Sequence, residues 1–293
     1  MIRLGGLEAG GTKFVCAVGN GATVQQRVSF PTRKPEETLA EALAFFKHHP
    51  VQALGIACFG PVDLNPSSPT FGRITATPKP HWQNTDIVQP FAQALGIPVH
   101  FDTDVNGAAL GEWAWGAGRG LNDVLYLTVG TGIGGGALSG GRPIHGLIHP
   151  EMGHIRVPRD PSDCFAGCCP FHGDCLEGLA SGAAIHQRWG RAGEKLEDSH
   201  PAWRLEARYL ALGLVNLVMT LSPQRVILGG GVMRRPPLYT LIRQEFKMLV
   251  NDYLQANQLK DLESYIVAPA LGENAGVVGA FVLAQQALEA ATG

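Results

Sequence analysis

Leu7-Glu8-Ala9-Gly10-Gly11-Thr12-Lys13 and Leu127-Thr128-Val129-Gly130-Thr131-Gly132 follow one pattern: an apolar run, a polar residue, a glycine turn and a second strand. An internal echo of this kind implies two similar lobes. Around the two turns, Ala53-Ile56-Cys58, Pro98 to Phe101, Val124 to Leu127 and Arg225 to Leu228 read as short buried strands. Pro35 to Phe46 shows helical spacing, and so do Leu210, Leu214, Leu217, Val218 and Leu221, the last stopped by Ser222-Pro223. Strands alternating with helices predict an α/β fold. The Gly-rich stretch Trp115 to Gly120 sets the expected boundary, giving lobes of residues 1–116 and 117–293.

The chain has 293 residues, 45% hydrophobic and 16% charged, enough to bury a substantial core. A formal charge of -2 offers no basic surface for phosphate backbones or anionic lipid, so neither nucleic acid nor membrane is an expected partner. Met1 to Gly6 runs straight into strand pattern without the features of a signal peptide, and a cytoplasmic location is expected. Tyr209 to Leu221 is taken as the longest apolar stretch; it falls short of the roughly 20 residues that span a bilayer. Two of six cysteines, Cys16 and Cys58, lie in apolar runs, while four crowd between Cys164 and Cys175, which in a reducing compartment suggests metal.

Successive backbone N–H groups in tight turns hold phosphate oxygens well, and glycine permits the close approach. Three segments meet that description: Gly10-Gly11-Thr12-Lys13, Gly130 to Gly136, and Gly229-Gly230-Gly231-Val232. None has the P-loop spacing, and none pairs a Gly-x-Gly-x-x-Gly with a helix and a ribose-binding acid. One isolated Gly-Gly would be an ordinary hairpin. Three after strands resemble the nucleotide grip of the actin, Hsp70 and hexokinase superfamily.

The resemblance narrows with Glu8 to Lys13, Gly60-Pro61-Val62, Asp104-Val105-Asn106 through Glu112, Glu151-Met152-Gly153-His154 and Cys175-Leu176-Glu177 in that order. This ordered set is similar to that of ROK-family sugar kinases, and it runs from Glu8 to about Ala280. Thr77-Pro78-Lys79-Pro80-His81-Trp82 and Cys169 to Cys175 resemble the fructokinase branch. The resemblance implies a two-lobed actin-like α/β fold with nucleotide and sugar in the cleft, a C-terminal helix returning toward the first lobe, and MgATP as phosphoryl donor. A homodimer is the expected assembly.

Phosphoryl transfer needs a carboxylate to take the acceptor hydroxyl's proton. Asp104 lies just past a strand and just before a helical stretch, whose N-terminus favours its charge. Local pattern alone would also suit an N-cap, and alternation leaves Asp102 as a rival. The family pattern selects Asp104 as base. Thr103 stands where glucokinases of the family carry Asn, and Glu8 replaces the more common Asp, with a magnesium-orienting role through water implied.

Sugar contacts implied by the resemblance are Gly60, Pro61, Trp82, Asn84, Thr103, Glu151, His154 and Glu177. Trp82 equally suits packing. Phosphate contacts are expected at Gly10, Gly11, Thr12, Lys13, Thr131 and Gly132. Gly229, Gly230 and Gly231 are expected near ribose and adenine, with Trp189 divided between base stacking and core. Cys169-x-x-His172-x-x-Cys175 presents two thiolates and an imidazole, and His154 supplies a fourth ligand for a tetrahedral, structural Zn²⁺; Cys164 and Cys168 compete for places. If His154 also meets the sugar, the zinc orients a substrate contact.

The leading expectation is ATP-dependent phosphorylation of fructose, at the 6-hydroxyl, with a broader kinase for mannose or glucose as the nearest variant. A sugar-sensing ROK regulator would carry a helix-turn-helix before the kinase-like core, and the first hairpin begins within ten residues of Met1. An actin-like ATPase would leave the sugar motifs and the cysteine cluster without purpose.

Overall fold

A computed structural model describes residues 2–292. The elements run β1 (Leu4–Ala9), β2 (Lys13–Asn20), β3 (Thr23–Pro31), α1 (Pro35–His48), β4 (Ala53–Cys58), α2 (Gln89–Leu95), β5 (Val99–Thr103) and α3 (Asp104–Trp115). They continue with β6 (Val124–Val129), β7 (Ile133–Ser139), β8 (Arg142–Pro143), α4 (Leu176–Ala180), α5 (Gly182–Trp189) and α6 (Ala202–Leu221). The last are β9 (Arg225–Gly229), α7 (Pro236–Val250), α8 (Leu262–Tyr265), β10 (Ile266–Val267) and α9 (Ala275–Thr292). Two five-stranded sheets result, in the orders β3-β2-β1-β4-β5 and β10-β9-β6-β7-β8. The four strands and two helices expected from periodicity are all present, and α6 ends on Ser222 in the left-handed conformation (φ 48°) before Pro223.

Chain contacts divide into two units, one of Met1–Gly120, Gly136–Pro150 and Ala270–Gly293, the other of Leu121–Gly135 and Glu151–Pro269. The first crossing follows the Gly-rich stretch that ends at Gly120. The later ones, inside β7 and near Pro150 and Pro269, leave no mark in composition.

In the first unit β1 pairs antiparallel with β2 and parallel with β4, which is parallel to β5. Both faces are covered, so β2 reads as a continuous apolar run rather than an alternation. Phe14, Cys16 and Val18 join a core with Phe46, Ile56 and Phe91. Val15 and Ala17 face the other way, onto Val277, Phe281 and Ala284 of α9. In the second unit β6 is parallel to β9, which is parallel to β10, and α6 packs on α7.

Helix α9 approaches so closely that side chains are excluded. A Cβ on Gly279 would overlap the carbonyl oxygen of Gly107 in α3, one on Gly55 of β4 would overlap that of Ala280, and one on Gly111 would overlap that of Ala275. Buried Glu112 closes the arrangement, its carboxylate accepting from the amides of Ala117 (2.7 Å), Ala270 (3.0 Å) and Leu271 (2.8 Å). Among the described residues one helix, Gly272–Thr292, is long and apolar enough to cross a membrane, with mean hydropathy 1.2. It is a core helix, over half buried. It displaces Tyr209 to Leu221 as the outstanding apolar stretch, because its many Gly and Ala are apolar without being large.

Since the crossing has no room for a methyl group, Gly279→Ala should cost at least about 2 kcal/mol in urea unfolding. Glu289→Ala, on the exposed side of the same helix, should stay within about 0.5 kcal/mol.

Candidate functional site

In the first unit, Asp104 is the first residue of α3, and Thr103 rather than Asp104 caps it: the buried Thr103 hydroxyl accepts the Asn106 N–H at 3.1 Å. Asp104 is half-buried and accepts the Val105 N–H at 2.9 Å. Burial pushes its carboxyl up to about 6, against the lowering effect of the Val105 and Asp104 amides. Glu8, at the end of β1, is pushed up to about 7 by burial and by the charge of Asp104, with Lys13 and Arg27 pulling it back and Glu273 adding to the rise. A Cβ on Gly276, in the first turn of α9, would lie 2.5 Å from the Glu8 carboxyl carbon. The helix terminus therefore sits directly on that carboxylate.

Asp102 is spoken for elsewhere. It is buried, with Oδ1 accepting from the Thr103 amide (2.7 Å) and the Asn106 side chain (2.8 Å), and Oδ2 facing His145 Nε2 at 2.9 Å. The alternation along β5 that left the two acids equivalent is broken by the start of α3. Asp102 supports the turn, and Asp104 is the acid left beside Glu8.

The turn Gly10 to Lys13 closes with the Gly10 N–H on Lys13 O (3.0 Å), and Thr32 braces it through Gly10 O and Thr12 O. Thr12 and Lys13 are exposed and Gly11 is half-buried, so this turn is open to a ligand. The Gly60-Pro61 bond is cis, and Pro61 O accepts from the Thr75 amide and hydroxyl. Trp82 is corrected from sugar contact to core: it is fully buried between Phe14 and Phe59, and its indole N–H donates to Arg33 O at 2.9 Å. Asn84, exposed and left-handed at φ 61°, remains available.

In the second unit, Gly130 N–H donates to Gly132 O and Gly182 N–H to Gly130 O, which joins the turn to the start of α5. Thr131 is exposed. Glu177 Oε2 accepts the Ile133 N–H at 2.9 Å, and a Cβ on Gly132 would meet that oxygen at 2.5 Å. One Glu177 oxygen is thus committed to the glycine turn. Gly230 (φ 94°) packs on the Val129 backbone, Gly229 is buried over Tyr126, and Gly231 is exposed with open space around it. Trp189 is half-buried, edge-on to His200 at 4.9 Å.

His154, Cys169, His172 and Cys175 offer four ligand atoms all within 4.8 Å of one another. A tetrahedral metal with sulfur at about 2.3 Å and nitrogen at about 2.05 Å has N···S edges near 3.55 Å and N···N edges near 3.35 Å. The observed edges are 3.5 Å (His154 Nδ1 to Cys175 Sγ), 3.7 Å (His154 Nδ1 to Cys169 Sγ), 3.6 Å (His172 Nδ1 to Cys169 Sγ) and 3.3 Å (His154 Nδ1 to His172 Nδ1). The residues fit a four-coordinate ion. Burial pushes the Cys175 thiol up to about 11, so a cation would have to replace its proton. Cys164 and Cys168 are not among the gathered donors. With Nδ1 in the cluster, His154 turns Nε2 toward Glu151 Oε2, 3.9 Å away. Segment 156–173 carries only turns and isolated bridges, Arg156 with Cys175 and Cys169 with Gly173.

Sequence reasoning passed over His145, His149 and Asn106. His149-Pro150 directly precedes Glu151, and that adjacency was the signal available.

The ROK family profile matches residues 4–287. A fructokinase from Zymomonas mobilis subsp. mobilis is 48% identical over 290 residues, covering 96% of this chain and 95% of the relative. A fructokinase from Pediococcus pentosaceus is 42% identical, covering 98% and 99%. Among solved structures, a ROK family glucokinase from Streptomyces griseus in complex with glucose and AMPPNP superposes with TM-score 0.77 at 28% identity, covering 97% of this chain and 99% of that one.

Raised carboxyl values mean that the folded protein binds protons more tightly than the unfolded chain. Stability should therefore fall as pH rises from about 4 to about 7, through the interval between the ordinary and raised values. Glu8→Gln and Asp104→Asn should each stabilise the protein at pH 8, by on the order of 1 kcal/mol, and have little effect at pH 4. Urea midpoints at the two pH values check this.

Proposed function

The chain belongs to the ROK family, and from that premise we propose that it is an ATP-dependent fructokinase that makes fructose 6-phosphate, with Asp104 as general base. The observation that carries the reading is Asp104 itself. It is a half-buried carboxylate on the first turn of α3, raised to about 6, beside Glu8, in a chain 42–48% identical to fructokinases. A base with a value near the working pH accepts a proton readily while staying largely ionised.

In this reading Asp104 takes the proton of the fructose 6-hydroxyl as that oxygen attacks the γ-phosphorus of MgATP, and ADP departs. Glu8 orients the hydrated magnesium of the nucleotide. Gly10 to Lys13, Thr131 and Gly132 meet phosphates through backbone N–H groups, while Gly229 to Gly231 line the ribose and adenine. Gly60, Pro61, Asn84, Glu151, His154 and Glu177 contact the sugar, and Thr103 supports the base as the cap of its helix.

The four-ligand cluster holds Zn²⁺ in this reading, as a closed structural site with no position for a reactive water. Its edges and donor types support zinc in particular. His154 commits Nδ1 to the cluster, which fixes Nε2 as the nitrogen presented beside Glu151.

A coupled ADP-release assay with fructose, mannose and glucose tests the function. Fructose should give the highest kcat/KM, and equal values for all three would favour a general hexose kinase. Asp104→Asn should lower kcat by about 10³-fold or more while fructose binding stays within a few-fold; near-normal turnover would remove Asp104 from the mechanism.

Elemental analysis should find about one zinc per chain, lost in Cys175→Ser. Chelation should make residues 156–173 sensitive to protease and weaken fructose binding. Unaltered fructose affinity in verified metal-free protein would rule out the orienting role.

A further inference from the structure

Between β8 and Glu151 the chain forms a segment, Ile144 to Pro150, whose tip is poorly covered: Leu147 is 101% exposed and Ile148 47%. The Ile144 N–H bonds Ala137 O at 2.8 Å, and a short turn bond joins Gly146 N–H to Ile148 O at 3.2 Å. Two imidazoles fasten it to the rest of the first unit. Near its start, His145 Nε2 is 2.9 Å from Oδ2 of Asp102, the buried acid two residues before Asp104. At its end, the buried His149 accepts the Val62 N–H on Nε2 at 3.1 Å. The same ring lies against Gly60, where a Cβ would meet His149 Cε1 at 3.3 Å.

The second bond fixes a tautomer. A ring nitrogen that accepts an amide N–H carries no proton, so in neutral His149 the proton is on Nδ1. His149 also bonds the Pro150 backbone. Proline has no N–H, so its carbonyl is the acceptor and Nδ1–H the donor. The ring thus links Val62, next to Gly60-Pro61, to Pro150, next to Glu151.

We propose that His145 and His149 are positioning residues that latch segment 144–150 at its two ends, and that the His149 latch holds the Gly60-Pro61 turn in the arrangement that binds the hexose. The proposal rests on the reading that Gly60 and Pro61 contact the sugar. It assigns neither histidine to the chemistry.

The two latches depend oppositely on protonation. The His145 bond to a carboxylate is strongest when the ring is charged, and the Asp102 hydrogen bond raises its value above the usual 6.5, against burial. The His149 latch needs an unprotonated Nε2, and burial lowers its value below 6.5, against Pro150 and the Asp102 charge, with His145 adding to the fall. The facing titratable groups are Asp102 and His100 of β5 and the two histidines themselves; His100 is also lowered by burial. Both latches are intact together only between the His149 and His145 values. Acid opens the His149 latch and base weakens the His145 latch.

The test is fructose KM and kcat across pH 5 to 9 for the native enzyme, His149→Ala, His149→Gln and His145→Gln. His149→Ala should raise fructose KM about tenfold or more, with kcat and ATP KM within about threefold. His149→Gln, whose amide oxygen can accept the Val62 N–H, should recover most of that loss and abolish the acid rise in KM. His145→Gln should remove the alkaline rise. Fructose KM within twofold of native in both His149 variants, in enzyme that turns fructose over, would overturn the proposal. If the native protein phosphorylates no hexose, the functional reading fails and the latch is judged without sugar. Nitrogen-15 spectra of the histidines at pH 7 and protease cleavage within 144–150 serve there. A neutral Nδ1–H ring at His149, with cleavage accelerated in His149→Ala, supports it; the opposite tautomer or unchanged cleavage overturns it.

Discussion

Backbone-to-backbone contact of α9 with α3 and β4 is the constraint from which the rest of the first unit follows. At Gly55, Gly107, Gly111 and Gly279 the peptide groups themselves form the interface. Contact at this range leaves no rotamers to adjust, so α9 has little freedom to slide or roll. The start of α9 is thereby brought onto Glu8, and the same helix packs along α3, whose first residue is Asp104. Two raised carboxyls in one place result from the way these helices cross. Glu112 reinforces the geometry with three amide bonds, two of them to the chain entering the final helix.

What could be read in the sequence was whatever has a local cause. Glycine turns after strands, Ser222-Pro223 at the end of α6 and the Cys-x-x-His-x-x-Cys ligands follow from dihedral freedom or coordination chemistry within a few residues, and all are found in the folded chain. Choosing between Asp102 and Asp104 needed the position of His145, which lies 43 residues beyond Asp102. Trp82 failed for a similar reason: an aromatic in a Pro-rich loop is equally suited to a ligand or a core, and Phe14 of β2 and Phe59, just past the end of β4, decide it. The glycines of α9 are poor helix formers in themselves, and the backbone that demands them belongs to other elements. The acids and glycines of the site were thus visible as types, while their partners came only with the tertiary structure.

In the second unit three consecutive residues have separate duties. Cys175 offers sulfur to the ligand cluster, Leu176 is buried and excludes a side chain at Gly213, and Glu177 holds the Ile133 amide at the glycine turn. The order of the cluster and the order of the turn are coupled through that short stretch of backbone. Glu177 already spends one oxygen inside the protein, so any ligand contact it makes falls to the other, and its direction is set beforehand.

The discontinuity of the first unit bears on how the chain is made. Leu4, Val15, Ala17 and Ala53 emerge from the ribosome early, yet their cover, Val277, Phe281 and Ala284, follows only after the whole second unit has been synthesised. Until then the part of the first sheet that α9 covers lacks that cover, while nearly all of the second unit has already been synthesised. Completion order runs opposite to synthesis order, and the interval in which the nascent chain can be trapped by a chaperone or by another chain is set by the rate of elongation through some two hundred residues, at about 5–20 per second.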